Sequence, residues 1–214
     1  MKEFLSKLRK DYGIMGLDLP DLNPDPIKQF ETWFTEAANA EIVEPNAFTL
    51  STVTADGKPS SRIVLLRNFE PSGFTFYTNY TSKKGQDIEA NPNVCMNFFW
   101  ADVERQIRIE GIATKINTLE SMEYFKKRPR ASQIGAWASA QSSPIDSRAD
   151  LDKRIAEIEQ QFQGKTVDKP PFWGGYRVMP MAIEFWQGRP SRLHDRFRYS
   201  LNQDKTWKIE RLNP

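Results

Sequence analysis

The sequence is poor in the residues on which most hydrolases and metalloenzymes depend. Its 214 residues include one cysteine, Cys95, and one histidine, His194. One cysteine excludes an intrachain disulfide and suits a cytoplasmic setting. One histidine excludes a metal site built from several His ligands of one chain, so no metal is expected, and a Ser-His-Asp hydrolase would have to use His194. Charge of either sign is also lacking in excess. Thirty Lys and Arg against 28 Asp and Glu leave +2, too little to direct the chain to nucleic acid or anionic lipid. No apolar run approaches the ~18 residues of a membrane-spanning helix. The first seven residues are charged throughout and are not expected to act as a signal peptide. Internal repeats and low-complexity tracts are missing as well. What is present is a globular composition, 39% hydrophobic, enough for a packed core. Chemistry on such a chain falls to a cofactor or to Arg, Lys, Tyr and carboxylates.

The hydrophobic pattern gives an α+β reading. Phe4, Leu5, Leu8 and Tyr12 recur at helical spacing over residues 1–12. Pro20, Pro24 and Pro26 mark an extended connection over 13–26. Asp25-Pro26 reads as an N-cap with Pro at the first helical position, and Ile27, Phe30, Phe34 and Ala37 supply the buried stripe of a helix to about Ala40. Strands are expected at 47–54 and 60–69 around the Asp56-Gly57 turn, then at 74–78, 93–100 and 105–116. Ser82–Ala90 reads as a helix closed by Asn91-Pro92. Helices follow at 118–127, 132–139 and 148–162, and strands return at 175–186, 194–199 and 206–212. The segmentation predicts an arm, 1–26, and a single domain, 27–214, made as an α+β barrel of mostly antiparallel strands with flanking helices.

Several polar constellations stand out, each with a plain alternative. Arg62 and Arg67 bracket Ile63-Val64-Leu65-Leu66. On one continuous strand they face opposite ways, which suits two separate anions or two exposed edge arginines. Tyr77-Thr78-Asn79 and Ser82-Lys83-Lys84-Gly85 put hydroxyls, two cations and free helix N–H groups in one turn. That suits a phosphate or, equally, a solvated lysine pair. Gln106 and Arg108 share a strand face opposite Ile107 and Ile109. Tyr124, Arg128 and Ser132 recur every four residues, with Pro129 between them, and either converge on a phosphate or form a surface stripe. Trp173-Gly174-Gly175 and Glu184-Phe185-Trp186 suit a core or a wall for a flat ring. Arg192-Leu193-His194-Asp195-Arg196 is the densest polar segment. If extended, it turns Arg192, His194 and Arg196 to one face and Leu193 to the apolar side.

Taken in order, these segments resemble the pyridoxine/pyridoxamine 5′-phosphate oxidase family. The resemblance adds Gln133-Ile134-Gly135-Ala136, Gln141-Ser142-Ser143 and Trp207–Leu212, and runs from about Arg9 to Pro214. It implies an FMN-binding split β-barrel, a homodimer, and no nucleic-acid or membrane partner. It also implies oxidation of pyridoxine 5′-phosphate or pyridoxamine 5′-phosphate to pyridoxal 5′-phosphate, with O2 as acceptor, H2O2 as product and NH3 released from the amine. By position, FMN contacts fall on Arg62, Ile63, Val64, Leu65, Leu66, Arg67, Tyr77, Thr78, Lys83, Lys84, Gln106, Gln141, Ser142, Trp186 and Arg196. Gln141, Ser142, Trp186 and Arg196 are implied to come from a different subunit than part of the Arg62–Lys84 set. Substrate contacts fall on Arg67, Tyr124, Arg128 and Ser132 at the phosphate. Arg192 and His194 stand at the ring as the catalytic pair, and Arg9 and Tyr12 match a mobile lid. Arg67 stands where the family often has Lys, and Lys83 where it often has Arg; both keep the charge but change reach and fork geometry. Rival readings are a flavin-barrel relative with another reductant, or a colourless carrier of pyridoxal phosphate.

Overall fold

Asp25 starts the first helix by chemistry local to the turn. Its carboxylate accepts from the Ile27 N–H at 2.9 Å, and Pro26 occupies the first helical position of α1 (Pro26–Asn39). The buried stripe is Ile27, Phe30, Trp33 and Ala37. Trp33 therefore takes the place expected for Phe34, which is half-buried and stacks on Phe30 at 5.7 Å. The computed structural model describes residues 11–13 and 15–214. The helix expected over 1–12 and the candidate Arg9 fall outside the described residues, apart from Asp11 and Tyr12.

Nine strands and four further helices follow. They are β1 (Ala47–Val53), β2 (Pro59–Leu65), β3 (Asn68–Glu70), β4 (Gly73–Asn79), α2 (Lys83–Ala90), β5 (Asn93–Trp100) and β6 (Arg105–Lys115). Then come α3 (Thr118–Lys126), α4 (Arg130–Ala138), α5 (Arg148–Gln161), β7 (Trp173–Gln187), β8 (Asp195–Leu201) and β9 (Trp207–Arg211). The strand order is β2-β1-β5-β6-β7-β4-β3, with β8 on β7 and β9 on β8. The fifteen-residue β7 serves two neighbours in turn. Trp173–Val178 pair antiparallel with β4, from Asn79↔Trp173 to Phe74↔Val178, and Ala182–Gln187 pair antiparallel with β8. At the β1–β2 turn Gly57 has φ 83°, a left-handed conformation that costs glycine little.

Contacts divide the chain into two compact units. One comprises the segment ending at Leu50 with Cys95–Gly111 and Pro180–Pro214. Its core contains Phe30, Trp33, Phe48, Phe98, Trp100, Phe185, Phe197 and Tyr199, and the Trp33 and Phe185 rings meet edge to face at 5.2 Å. The other comprises Ser51–Val94 and Ile112–Met179. Its core contains Phe74, Phe76, Ile88, Phe125, Ile134, Trp173 and Tyr176. Each fully buried side chain of this size contributes roughly 1.5–3 kcal/mol from burial.

Two expectations are corrected. The strand read over 60–69 ends at Leu65 and resumes at Asn68, so Leu66-Arg67 form a break and strand alternation no longer relates Arg67 to Arg62. The Arg67 N–H instead reaches across to the Thr75 carbonyl at 2.9 Å. Nor is Arg192-Leu193-His194 extended. Pro190–Arg192 form a 3-10 turn closed by Leu193 N–H to the Pro190 carbonyl at 3.1 Å, with Ser191 and Arg192 at φ 57° and 64°. The strand starts only at Asp195, and Leu193 is 68% exposed rather than packed. Proline at the turn's start outweighs the alternation that the sequence suggests.

Candidate active site

The first site grows from the start of α2. Ser82 caps the helix, its Oγ donating to the Asn79 carbonyl at 2.6 Å and accepting from the Gly85 N–H at 3.4 Å. Gly85 is required there, because a Cβ would lie 2.0 Å from the Tyr80 carbonyl oxygen. The turn fixes two lysines in different states. Lys83 Nζ is half exposed and bonds both carboxylate oxygens of Asp87 at 3.1 and 3.2 Å. Lys84 is 7% exposed, and its ammonium donates only to neutral oxygens: Thr78 Oγ1 at 3.1 Å, Gln141 Oε1 at 3.3 Å and Ser82 Oγ at 3.4 Å. Among the described residues it forms no ion pair. Burial, and then the charge of Arg62, lower its pKa to about 8.

Arg62 completes the cluster from β2. Its Nη1 donates to Thr52 Oγ1 and its Nη2 to Ser60 Oγ, both at 2.8 Å. Asp87, 3.8 Å from Nη2, also accepts from Thr52 at 2.7 Å. Burial alone would raise the Asp87 pKa, but hydrogen bonds from Thr52 and Lys83 and the nearby cations bring it below the usual carboxylate value. Arg62, Ser60, Lys83 and Lys84 line a cavity of about 580 Å³. Its walls hold eleven of the fifteen residues expected at the cofactor: Arg62 to Leu65, Arg67, Tyr77, Thr78, Lys83, Lys84, Gln141 and Ser142. Leu66 is buried and is not part of the wall. Gln141 and Ser142 line this cavity in the same chain as Lys84, and Gln141 also accepts from Thr78 at 3.0 Å. The expectation that a second subunit supplies these two is corrected: the loop after α4 is long enough to reach back to the end of β4.

A second cavity, about 360 Å³, shares Arg67, Tyr77, Thr78 and Gln141 with the first. Its remaining wall carries Tyr124, Arg128, Ser132 and Trp173. The four-residue spacing is not one helical stripe, since α3 ends at Lys126 and α4 starts at Arg130. Pro129 makes the bend, and its carbonyl accepts from the Ser132 N–H at 2.8 Å, so all three side chains still converge. Tyr77 lies between the cavities, stacked on Tyr124 with centroids 3.8 Å apart and on Trp173 at 5.3 Å. Gly175 permits this, because a Cβ there would meet Tyr77 and Ile116 at 3.0 and 2.5 Å. Burial pushes the Tyr77 phenol up to about 12, keeping it neutral. Trp173, read from sequence as core or as the wall for a flat ring, is buried and lines the smaller cavity, while Ser60 and Ser61, which line the larger, were not singled out from sequence.

The other unit holds the remaining candidates. Tyr12, Trp186 and His194 form one aromatic cluster: Tyr12 meets Trp186 edge-on at 5.7 Å and His194 at 5.8 Å, and Trp186 lies 4.6 Å from His194. His194 Nδ1 accepts from the Arg189 N–H at 3.1 Å. Burial, then the charges of Arg192 and Arg196, lower its pKa. Arg196 is held by Glu184, its Nε donating to Oε1 at 2.8 Å, while Arg108 Nη2 donates to Oε2 at 2.7 Å. Gln106 sits half-buried on β6 opposite the buried Ile107, as the alternation predicts.

Two family models cover the chain: "Pyridoxamine 5′-phosphate oxidase" matches residues 34–162, and "Pyridoxine 5′-phosphate oxidase C-terminal dimerisation region" matches residues 173–214. The chain belongs to the pyridoxamine 5′-phosphate oxidase family. It is 52% identical over 210 residues to the pyridoxine/pyridoxamine 5′-phosphate oxidase of Rubrobacter xylanophilus, covering 98% of this chain and 96% of that one. It is 53% identical over 212 residues to the enzyme of the same name from Crocosphaera subtropica, covering 98% and 99%. Among solved structures, PhzG from Burkholderia lata aligns with a TM-score of 0.88 at 29% identity, over 96% of this chain and all of that one. An FMN-binding protein of Nostoc punctiforme related to pyridoxamine 5′-phosphate oxidase aligns at 0.71 with 17% identity, over 90% of this chain and all of that one. The fold of the family is thus the split barrel expected from the sequence. Among the described residues no helix is long and apolar enough to cross a membrane.

Proposed function

We infer that the chain is an FMN-dependent oxidase that converts pyridoxine 5′-phosphate or pyridoxamine 5′-phosphate to pyridoxal 5′-phosphate. The observation that carries this reading is the pair of cavities with a shared wall, each holding a cation that has no carboxylate partner among the described residues: one buried, the other half-buried with its Nη1 withdrawn from water. Lys84 is that cation in the larger cavity and Arg128 in the smaller. Buried charge is costly unless compensated, so each cavity is built for an anion.

The larger cavity fits FMN on its own chemistry. Its volume lies in the range of small-molecule sites. Arg62, Lys83, Lys84 and Ser60 line it, with the Ser60 hydroxyl on Arg62 Nη2 at 2.8 Å, a set of cations and donors suited to a phosphate. In this reading Lys84 and Arg62 hold the FMN phosphate, and Thr78 and Gln141 orient Lys84. Arg67, Tyr124, Arg128 and Ser132 hold the substrate phosphate, with Tyr77 as the partition. Bound FMN supplies the two-electron acceptor, and O2 reoxidises it with release of H2O2. The protein contributes register: two phosphate grips with a common wall align substrate with cofactor. Arg192 positions the pyridine ring, and His194 hydrogen-bonds the substituent that is oxidised. Tyr12, in the arm 1–26, closes on the substrate. The dimerisation region at 173–214 supports a homodimer, in which Gln106, Trp186 and Arg196 complete the cofactor site. A cytoplasmic setting is part of the same reading.

The test is spectroscopic. Purified protein should be yellow, and pyridoxine 5′-phosphate added without O2 should bleach the flavin band, with colour restored on aeration. A colourless protein that binds pyridoxal 5′-phosphate, or a flavin that the substrate leaves oxidised, would refute the assignment.

A further inference from the structure

Arg128 is held differently from the other well-packed arginines of this protein. Arg105 pairs with Glu36, Arg196 with Glu184, and Arg177 with Glu70 and Glu120. Among the described residues Arg128 has no carboxylate partner, and its buried Nη1 has no hydrogen-bond partner. Its guanidinium lies over the ring of Trp173, 4.6 Å from the centroid, with Phe125 at 5.6 Å. Trp173 is itself immobilised. It is buried, nearly parallel to Tyr77 at 5.3 Å and 10°, and edge-on to Phe125 at 5.1 Å. Its backbone N–H donates to the Pro170 carbonyl at 3.1 Å, and its carbonyl accepts from Lys169 Nζ at 2.7 Å.

We propose that Trp173 is a positioning residue for the substrate phosphate: its ring face fixes the Arg128 guanidinium without neutralising it. A carboxylate in that place would also fix the arginine, but it would occupy the donors and cancel the charge that a phosphate needs. An aromatic face attracts the cation through its quadrupole and leaves the in-plane N–H donors unused. Stacking also spares the substrate the entropy of ordering a long side chain. Burial and the neighbouring Arg67 lower the Arg128 pKa, as expected for a cation kept short of an anion. The proposal rests on the reading that the smaller cavity takes the substrate phosphate.

The experiment uses the FMN-loaded enzyme and four readouts. These are kcat and KM for pyridoxine 5′-phosphate, the same for unphosphorylated pyridoxine, inhibition by inorganic phosphate, and FMN affinity. Trp173→Leu should raise KM for the phosphorylated substrate and the inhibition constant of phosphate together, about tenfold, the scale of one cation–π contact. It should change kcat less than threefold and leave pyridoxine kinetics and FMN affinity near wild type. Trp173→Phe, which keeps a π face, should recover most of the loss. If Trp173→Leu does not fold, Trp173→Met offers similar apolar volume without a π face and takes its place. Equal losses for pyridoxine and its phosphate, or no recovery in Trp173→Phe, would make Trp173 merely structural and overturn the proposal. Arg128→Ala separates the two claims. If it leaves phosphate inhibition unchanged, the reading of the cavity fails. If it weakens phosphate and Trp173→Leu does not, the positioning role alone fails.

Discussion

The backbone N–H of Arg189 donates to Nδ1 of His194 at 3.1 Å. A neutral imidazole whose Nδ1 accepts carries its proton on Nε2. With its pKa lowered by burial and by Arg192 and Arg196, the ring is neutral at physiological pH. In the proposed site His194 therefore offers a donor, through Nε2–H, rather than a base.

His194→Asn should retain fold and flavin while slowing anaerobic flavin reduction by about 10²-fold or less, since asparagine keeps a donor and an acid–base group is worth ~10²–10⁴. The pH profile gives a second check. A folded pKa below the unfolded value means that the unfolded chain binds more protons as pH falls. Stability from this group is therefore complete above the unfolded pKa of ~6.5 and is lost as pH drops through the folded pKa. Urea midpoints of wild type should fall on the acid side of that value more steeply than those of His194→Asn. Parallel midpoints would remove the environment inferred for this ring.

Lys84 makes the opposite trade between stability and binding. In apo protein its buried ammonium has neutral partners alone. Lys84→Met should raise the melting temperature of apo protein and weaken FMN by roughly 1.5–3 kcal/mol, the scale of a hydrogen bond to a charged group. The lysine titrates near 8 when folded, below its ordinary value near 10.5. Binding an anion restores the charge, so above about pH 8 FMN binding takes up a proton and its affinity falls with rising pH. Titrations of apo protein at several pH values, monitored by flavin fluorescence, should show that decline in wild type and not in Lys84→Met. Unchanged FMN affinity in the variant would remove Lys84 from the site.

Local chemistry made much of this legible. Asp25-Pro26 and Ser82 marked helix starts because capping is decided within one turn, and β6 alternated as read because one face is buried. The Tyr124, Arg128 and Ser132 set was found by its spacing although the helix breaks at Pro129, since the break preserves convergence. Other features depended on distant contacts. That Lys83 is neutralised and Lys84 is not follows from Thr52, Arg62 and Gln141, far away in sequence. The Trp173 platform depends on Tyr77 across the β4–β7 pair. The sequence left open whether Arg192 to Arg196 is extended, because its charged and apolar residues alternate; the turn at Pro190–Arg192, with Ser191 and Arg192 at positive φ, is set by a backbone conformation that alternation does not report.

Dimerisation is open to test at β7. Met179 and Met181 are 48% and 46% exposed, two residues apart on a strand within the region that matches the family's dimerisation model. Residues two apart share a strand face, and exposed apolar side chains there suit burial against a second copy. A Met179→Asp, Met181→Lys double variant should sediment as monomer at concentrations where wild type is dimeric, and should bind FMN more weakly by linkage. A monomeric variant with wild-type FMN affinity would show that the cofactor needs one chain alone.

Glu184 gives the sharpest test of the cofactor assignment for Arg196. The carboxylate is 3% exposed, with Arg196 on one oxygen at 2.8 Å and Arg108 on the other at 2.7 Å. Both bonds are charge-assisted, and Glu184→Gln keeps the shape while replacing one acceptor by an NH2 that faces a guanidinium. Apo stability should fall by about 1.5–3 kcal/mol. Arg196, no longer fixed, should bind FMN less well, by about tenfold, or ~1.4 kcal/mol. Arg108→Ala supplies the contrast, because it removes the other half of the arrangement and leaves the Arg196 bond intact. Its apo stability should drop while its FMN affinity stays within twofold of wild type. Urea melts of the apo proteins and FMN titrations of all three separate the effects. If Glu184→Gln loses stability but binds FMN like wild type, the Glu184–Arg196 pair serves the fold, and Arg196 leaves the cofactor set.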